Sequence, residues 1–234
     1  MMQSLKSIRA VLGIACWSFL ASLPTVSRAE NKPSVLPVAA KANANSAAAC
    51  IACHGAKGEG NAQAGFPRLG GLDPGYIQTQ LENFAANKRS NPVMSPIAMQ
   101  LTAAQRSAAA AYFGAMPGPT GVSIVVPEQL KVSDTGAWLA NRGRWDDNLP
   151  ACVQCHGQGG SGVGAAFPSL VGQSRGYLIA QLLAFKNGTR PGGPMNLMGV
   201  VAKKLSDTDI PAVAAYFGLT EAAADSGRKQ KEQK

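Results

Sequence analysis

The chain has 234 residues, a formal net charge of +9 and two histidines. This length suffices for one large domain or two small ones. The basic residues form no stripe with interleaved aromatic side chains, which argues against a nucleic-acid-binding protein. A moderate positive charge is typical of a protein that attracts an acidic partner or makes peripheral contact with a membrane surface.

The N-terminal 29 residues have the pattern of an export signal, in which two basic residues precede the apolar run Ala10–Leu23. Small residues then provide a cleavage site near Ala29. The apolar run has 14 residues, whereas a membrane-spanning helix needs about 20, so a retained anchor is the less favoured alternative. The sequence predicts a signal peptide over 1–29, a lead-in over 30–39 and a periplasmic mature protein.

The rest of the chain repeats itself. "CIACHG" begins at Cys50 and "CVQCHG" at Cys152, so the two copies are offset by 102 residues at the cysteines. The offset is 101 residues between Phe66 and Phe167 and 104 residues between Leu101 and Leu205. Small drifts of this kind are what loop insertions produce, so we interpret the repeat as two copies of one module. The predicted divisions are a first domain over 40–117, a linker over 118–129, a second domain over 130–220 and a disordered basic tail over 221–234.

The residue patterns of each copy predict mainly α-helical structure. A helical segment precedes each cysteine pair, and "GYIQTQLENFAANK" and "GYLIAQLLAFKNG" place apolar residues at three- and four-residue spacing. Thr102 and Gln105 predict a capping box, and Ser206 with Asp209 repeats it. Both copies end in "AYFG", which predicts a glycine C-cap. The predicted fold class is therefore all-α.

The six residues of each "CxxCHG" motif indicate covalently attached haem. Both histidines of the chain, His54 and His156, directly follow a Cys-x-x-Cys pair, and Cys-x-x-Cys-His is the attachment signature of c-type haem. Structural zinc would need four ligands, and each copy offers three. Thiol–disulfide exchange needs a βαβ scaffold, of which the sequence shows no sign. We therefore predict two haem c groups, held by Cys50, Cys53, Cys152 and Cys155.

With both histidines used as proximal ligands, methionine is the remaining soft donor for the iron. Met94 lies 40 residues after His54 and Met198 lies 42 after His156, and each precedes the next helix cap by eight residues. We predict that these two methionines are the axial ligands. Met195 is the competitor in the second copy, because a Gly-Gly-Pro loop precedes it, whereas Met99 suits a core-filling role.

The arrangement resembles the class I cytochromes c, and its tandem form resembles the dihaem cytochrome c4 family. The resemblance covers about residues 40–220 and rests on CIACHG/CVQCHG, FPRLGG/FPSLVG, GYIQTQL/GYLIAQL, the methionine spacing and AYFG. It implies two class I cytochrome c-like domains in tandem. It also implies that the backbone carbonyls of Pro67 and Pro168 accept the imidazole N–H of the proximal histidines, which orients them.

Iron with histidine and methionine ligands has no free position for a substrate, so we expect an electron carrier and not an enzyme. The expected partners are a quinol–cytochrome c oxidoreductase and a terminal oxidase of the respiratory chain. The alternative is a haem-bearing subunit of a periplasmic dehydrogenase complex that oxidises a sulfur compound or an alcohol. A catalytic role would require that Met94 or Met198 does not bind iron.

Overall fold

The computed structural model describes residues 50–119 and 129–218. The predicted signal peptide, the lead-in, most of the linker and the basic tail lie outside these residues. In the described ranges the backbone forms helices joined by turns and isolated β-bridges, without a strand, so the all-α prediction is confirmed. None of the helices seen there is long and apolar enough to cross a membrane.

Helices of the first half surround the first motif. Residues 50–54 are helical, and the chain then loops to α1 (Pro74–Ala85), α2 (Met94–Gln100) and α3 (Ala103–Gly114). Helix α1 packs against both α2 and α3. The prediction of a helix over "GYIQTQLENFAANK" is thus confirmed, although the helix starts one residue before that stretch and ends three residues before its end.

The second half repeats the same order of helices. It comprises α4 (Thr135–Asn141), α5 (Cys152–His156), α6 (Arg175–Lys186), α7 (Leu197–Lys203) and α8 (Asp209–Phe217), with short 3₁₀ turns at Trp145–Asp147, Gln158–Gly160 and Pro194–Asn196. Helix α8 packs against α4 and α6, and α6 packs against α7. Each half has its own apolar cluster, centred on Phe84 and Phe113 in the first half and on Ile210 and Phe217 in the second.

Local hydrogen bonds explain where the last helix of each half starts. The Thr102 hydroxyl accepts from the Gln105 N–H at 3.2 Å, and the Gln105 side chain accepts from the Thr102 N–H at 2.8 Å, so the predicted capping box is present. Ser206 and Asp209 make the same reciprocal bonds at 2.8 and 3.0 Å. In the second half, however, two turn residues follow Ser206 and α8 begins only at Asp209.

The predicted glycine C-cap after "AYF" is confirmed in the second half, where Gly218 is the C-cap of α8, and is wrong in the first half, where Ala115 is the C-cap of α3. Gly114 is the last residue of α3, and Gly218 follows α8 with extended backbone, φ −89° and ψ 153°. The requirement is close packing, because a Cβ on Gly114 would lie 2.6 Å from the Pro74 ring and one on Gly218 would lie 3.0 Å from the Arg175 backbone. Each glycine lets the last helix approach the start of the middle helix of its half.

Candidate haem sites

Both motif histidines are buried and held by a backbone carbonyl. His54 is 5% exposed and His156 is 6% exposed. Nδ1 of His54 lies 2.8 Å from the Pro67 oxygen, and Nδ1 of His156 lies 2.8 Å from the Pro168 oxygen. Because a carbonyl can only accept, Nδ1 carries the proton in each ring and the Nε2 lone pair is left for a metal.

Burial keeps these imidazoles neutral. It lowers the pKa of His54 and of His156, and the hydrogen bond to the proline carbonyl opposes that effect only in part. A neutral ring with its proton fixed on Nδ1 is the form that ligates iron. The arrangement therefore suits a proximal ligand in each half.

The loop after each motif brings the proline carbonyl to the histidine. In the first half, the bridge between Asn61 and Phe66 closes this loop, and Gly60 adopts φ +79°. A Cβ on Gly60 would lie 2.7 Å from the Arg68 nitrogen and from the Pro67 carbonyl carbon. Only glycine allows the loop to pass this close to the peptide that supports His54.

The four motif cysteines are free thiols in the structure. Burial raises the pKa of the Cys50 thiol, and it raises that of Cys152 to about 11. Reactive redox thiols need a lowered pKa, so this environment disfavours thiol–disulfide exchange. In the described ranges, no three side chains from His, Cys, Asp and Glu converge in a way that could hold a metal ion, which likewise disfavours a zinc site.

A cavity of about 1000 Å³ extends through both halves and reaches the two motifs. Each half lines it with its histidine, its cysteines and apolar side chains of its middle and last helices, including Ile77, Phe113, Leu178 and Phe217. A wide apolar space next to an imidazole with a free lone pair fits a bulky planar cofactor bound through iron. The donor set and the cavity therefore fit one haem in each half.

The structure separates the methionines into two groups. Met94, at the start of α2, and Met198, in α7, are half-buried and line the cavity. Met195 is 86% exposed and does not line the cavity, and its backbone has φ +51° in the turn before α7. Met99 is 54% exposed, so the expectation that it fills the core is wrong. Its place in α2 turns it toward solvent, since the neighbouring Ala98 is the buried residue there.

Arg89 and Arg190 form a pair of buried arginines where the halves meet. Arg89 donates to the Tyr177 hydroxyl at 2.9 Å and to Gln181 Oε1 at 2.7 Å. Arg190 makes the mirrored bonds, to the Tyr76 hydroxyl at 2.9 Å and to Gln80 Oε1 at 3.0 Å. Each guanidinium also lies over a phenylalanine ring of its own half, at 4.5 and 4.4 Å.

This arginine pair adds to the fit of the cofactor. All acceptors in the network are neutral, and both arginines line the cavity. Buried cations require anionic partners, and the propionate carboxylates of haem would supply them. Sequence reasoning missed these residues, although Arg89 and Arg190 stand at the repeat offset of 101 and so gave a usable signal.

Comparison with known proteins identifies the family. The family model described as cytochrome c matches residues 39–117 and 145–218. The chain belongs to the cytochrome c family. Its tandem domains carry two haem c groups, and the protein is a dihaem cytochrome that transfers electrons, as cytochromes c4 do.

Individual relatives fall into two groups. The thiosulfate dehydrogenase electron acceptor of Stutzerimonas stutzeri (strain A1501) is 51% identical over 175 residues, which are 74% of this chain and 80% of that protein. The solved reduced cytochrome c4 of Pseudomonas stutzeri is 32% identical with a TM-score of 0.65, over 74% of this chain and 94% of the other.

A solved thiosulfate dehydrogenase of Marichromatium purpuratum is also similar. It is 47% identical with a TM-score of 0.64 over 72% of this chain. This chain spans only 35% of the length of that one. The similarity to the solved cytochrome c4 confirms the resemblance to that family that the motifs indicated.

Proposed function

We propose that this protein is a periplasmic electron acceptor for a dehydrogenase that oxidises thiosulfate. The observation that carries the proposal is the 51% identity to a thiosulfate dehydrogenase electron acceptor over 80% of that protein's length. Similarity to a solved thiosulfate dehydrogenase, at a TM-score of 0.64, supports the same partner. The apolar run and small residues ahead of Ala29 support export to the periplasm.

Different residues would attach each haem covalently and ligate its iron. Cys50 and Cys53 would attach the first haem and Cys152 and Cys155 the second, with His54 and His156 as the proximal ligands. Met94 and Met198, which also line the cavity, would complete the coordination. Bound in this way, haem iron supplies one-electron Fe(II)/Fe(III) chemistry.

The hydrogen bonds to the histidines and the full set of iron ligands would restrict the two haem sites to electron transfer. The Pro67 and Pro168 carbonyls fix the tautomer and orientation of the two imidazoles. With a histidine and a methionine side chain as its ligands, each iron would have no position left for a substrate. The protein then acts as a carrier, and oxidation of the sulfur compound belongs to its partner.

A second function follows from the cytochrome c4 relatives. The solved cytochrome c4 aligns over 94% of its length with a TM-score of 0.65. That similarity supports a carrier that connects respiratory-chain components, such as a quinol–cytochrome c oxidoreductase and a terminal oxidase. The two functions share one architecture and differ in the electron donor.

The test compares two donors. Oxidised holoprotein is mixed with thiosulfate and a purified thiosulfate dehydrogenase that lacks its own acceptor, and reduction of the haems is followed in a stopped-flow absorbance instrument. We expect both haems to be reduced, at a rate that saturates with the concentration of this protein. Thiosulfate without the dehydrogenase is the control and should reduce neither haem. Reduction by quinol–cytochrome c oxidoreductase with quinol, and none by the dehydrogenase, would replace this proposal with the cytochrome c4 function.

A further inference from the structure

One peptide group, between Pro67 and Arg68, is hydrogen-bonded at both ends. Its carbonyl oxygen accepts from Nδ1 of His54 at 2.8 Å. Its N–H donates to Oε1 of Gln173, a residue of the second half, at 2.9 Å. Gln173 is 4% exposed, and its Nε2 donates back to the Arg68 carbonyl at 3.1 Å. A continuous chain of hydrogen bonds therefore runs from the histidine of the first half into a side chain of the second.

The two bonds strengthen each other because they share one amide. When the Arg68 N–H donates, electron density moves toward the Pro67 oxygen, which becomes a better acceptor. A stronger acceptor for the Nδ1 proton makes the imidazole more basic and so a better donor to a metal. A more strongly donating axial ligand stabilises Fe(III) over Fe(II) and lowers the reduction potential.

Among the described residues of the second half, no equivalent of this arrangement is seen. At the repeat offset of 101, Leu72 stands where Gln173 stands and Ser169 stands where Arg68 stands. A leucine side chain can neither donate nor accept a hydrogen bond. Leu72 is instead part of the apolar cluster of the first half. The chain of bonds thus serves one histidine only.

We propose that Gln173 is a positioning residue for the proximal histidine of the first haem, acting across the domain boundary to lower that haem's reduction potential. The inference rests on the proposal that His54 is the axial ligand. It makes the potential of one haem depend on how the other domain is docked.

Hydrogen bonds from the Arg68 side chain also join the two halves near Gln173. The Arg68 guanidinium donates to the Val171 carbonyl at 2.9 Å and reaches Ser169 Oγ at 3.5 Å. These bonds use atoms that Gln173 does not touch. Changing Gln173 therefore removes the link to the Pro67–Arg68 peptide while other bonds between the halves remain.

The test uses two variants of the full dihaem protein, Gln173→Leu and Gln173→Glu. A redox titration followed by proton NMR resolves the two haems through their haem methyl signals. In Gln173→Leu we expect the reduction equilibrium of the first haem to shift toward Fe(II) by about three- to tenfold, tenfold being about 59 mV for one electron. The second haem should keep its wild-type potential. Gln173→Glu keeps the acceptor, so the first haem should titrate at or below its wild-type potential.

The matched control is Tyr216→Phe, which removes the 2.8 Å hydrogen bond from Asn141 Nδ2 within the second half and does not touch the Pro67–Arg68 peptide. It should not reproduce the selective shift. An unchanged first haem in Gln173→Leu, an equal shift of both haems, or the same shift in Tyr216→Phe would overturn the proposal. If Gln173→Leu does not accumulate with two haems, a raised first potential in Gln173→Glu would overturn it. These titrations use no dehydrogenase, so their outcome is independent of the proposed electron donor.

Discussion

The axial methionine of the second haem gives the sharpest prediction, because two methionines three residues apart have opposite environments. Met198 is half-buried and lines the cavity, whereas Met195 is 86% exposed and does not. We expect Met198→Ala to remove one axial ligand and Met195→Gly to remove none. Thioether ligation favours Fe(II), so the potential of the second haem should fall in Met198→Ala while that of the first stays in place.

The two variants should also differ in stability. Large-to-small changes at buried methionines cost about 2–5 kcal/mol, and Met198 is only half-buried, so we expect a loss at or below the lower end of that range. Changes at exposed positions stay within about 0.5 kcal/mol. Met195 also has φ +51°, a conformation that costs a non-glycine residue about 1–2 kcal/mol. Met195→Gly should therefore leave the protein equally stable or more stable.

The assay combines a redox titration, binding of carbon monoxide to the reduced protein, and unfolding in guanidinium chloride. Reduced Met198→Ala should bind one carbon monoxide per chain, since one iron has lost its sixth ligand. Reduced Met195→Gly and wild type should bind none. Carbon monoxide binding by Met195→Gly together with none by Met198→Ala would refute the assignment and identify Met195 as the ligand.

Three further perturbations test the interface, the pH response and the loop. Arg89→Leu leaves the half-buried Tyr177 hydroxyl without its donor, so denaturant unfolding should show a loss of about 1–3 kcal/mol; equal stability would contradict the network's role. Burial would raise the pKa of Asp209, but bonds from Arg144 and Ser206 outweigh it and lower that pKa. The stabilisation from Asp209 is thus present above its unfolded pKa of about 3.9 and lost as pH falls through the lower folded value. Unfolding of Asp209→Asn and wild type should therefore differ at pH 6 and converge in the acid range; a constant difference would contradict this. Gly60→Ala forces a side chain against the Pro67–Arg68 peptide, so the purified protein should carry fewer than two haems per chain; a full complement would show that the loop tolerates the side chain.

Those parts of the molecule that depend on local chemistry were predictable from the sequence. The capping box of Thr102 and Gln105 needs only residues three apart, and the two motifs identify the cofactor by their own spacing. The repeat also made it possible to pair Met94 with Met198, and both line the cavity in the structure. Their role as ligands, like the roles of the motif cysteines and histidines and the domain boundaries, stays a prediction.

Features that depend on how the halves pack could not be predicted in the same way. The repeat offset could single out Arg89 and Arg190, but only the packing of the two halves brings them to the tyrosines of the opposite half. The link from Gln173 to the Pro67–Arg68 peptide joins residues 105 positions apart. Gly114 was misinterpreted as a C-cap because a helix C-cap is a local pattern, whereas the contact of Gly114 with Pro74 is a tertiary one.

The most direct test of the central claim is an absorption spectrum of the purified wild-type protein, oxidised and reduced, together with its haem-to-protein ratio. We expect two covalent haems per chain and, in the oxidised protein, a weak far-red band of methionine–histidine ligation whose intensity corresponds to both irons. A ratio of one haem per chain, or half the expected far-red intensity, would contradict the account of two methionine-ligated haems that carry electrons.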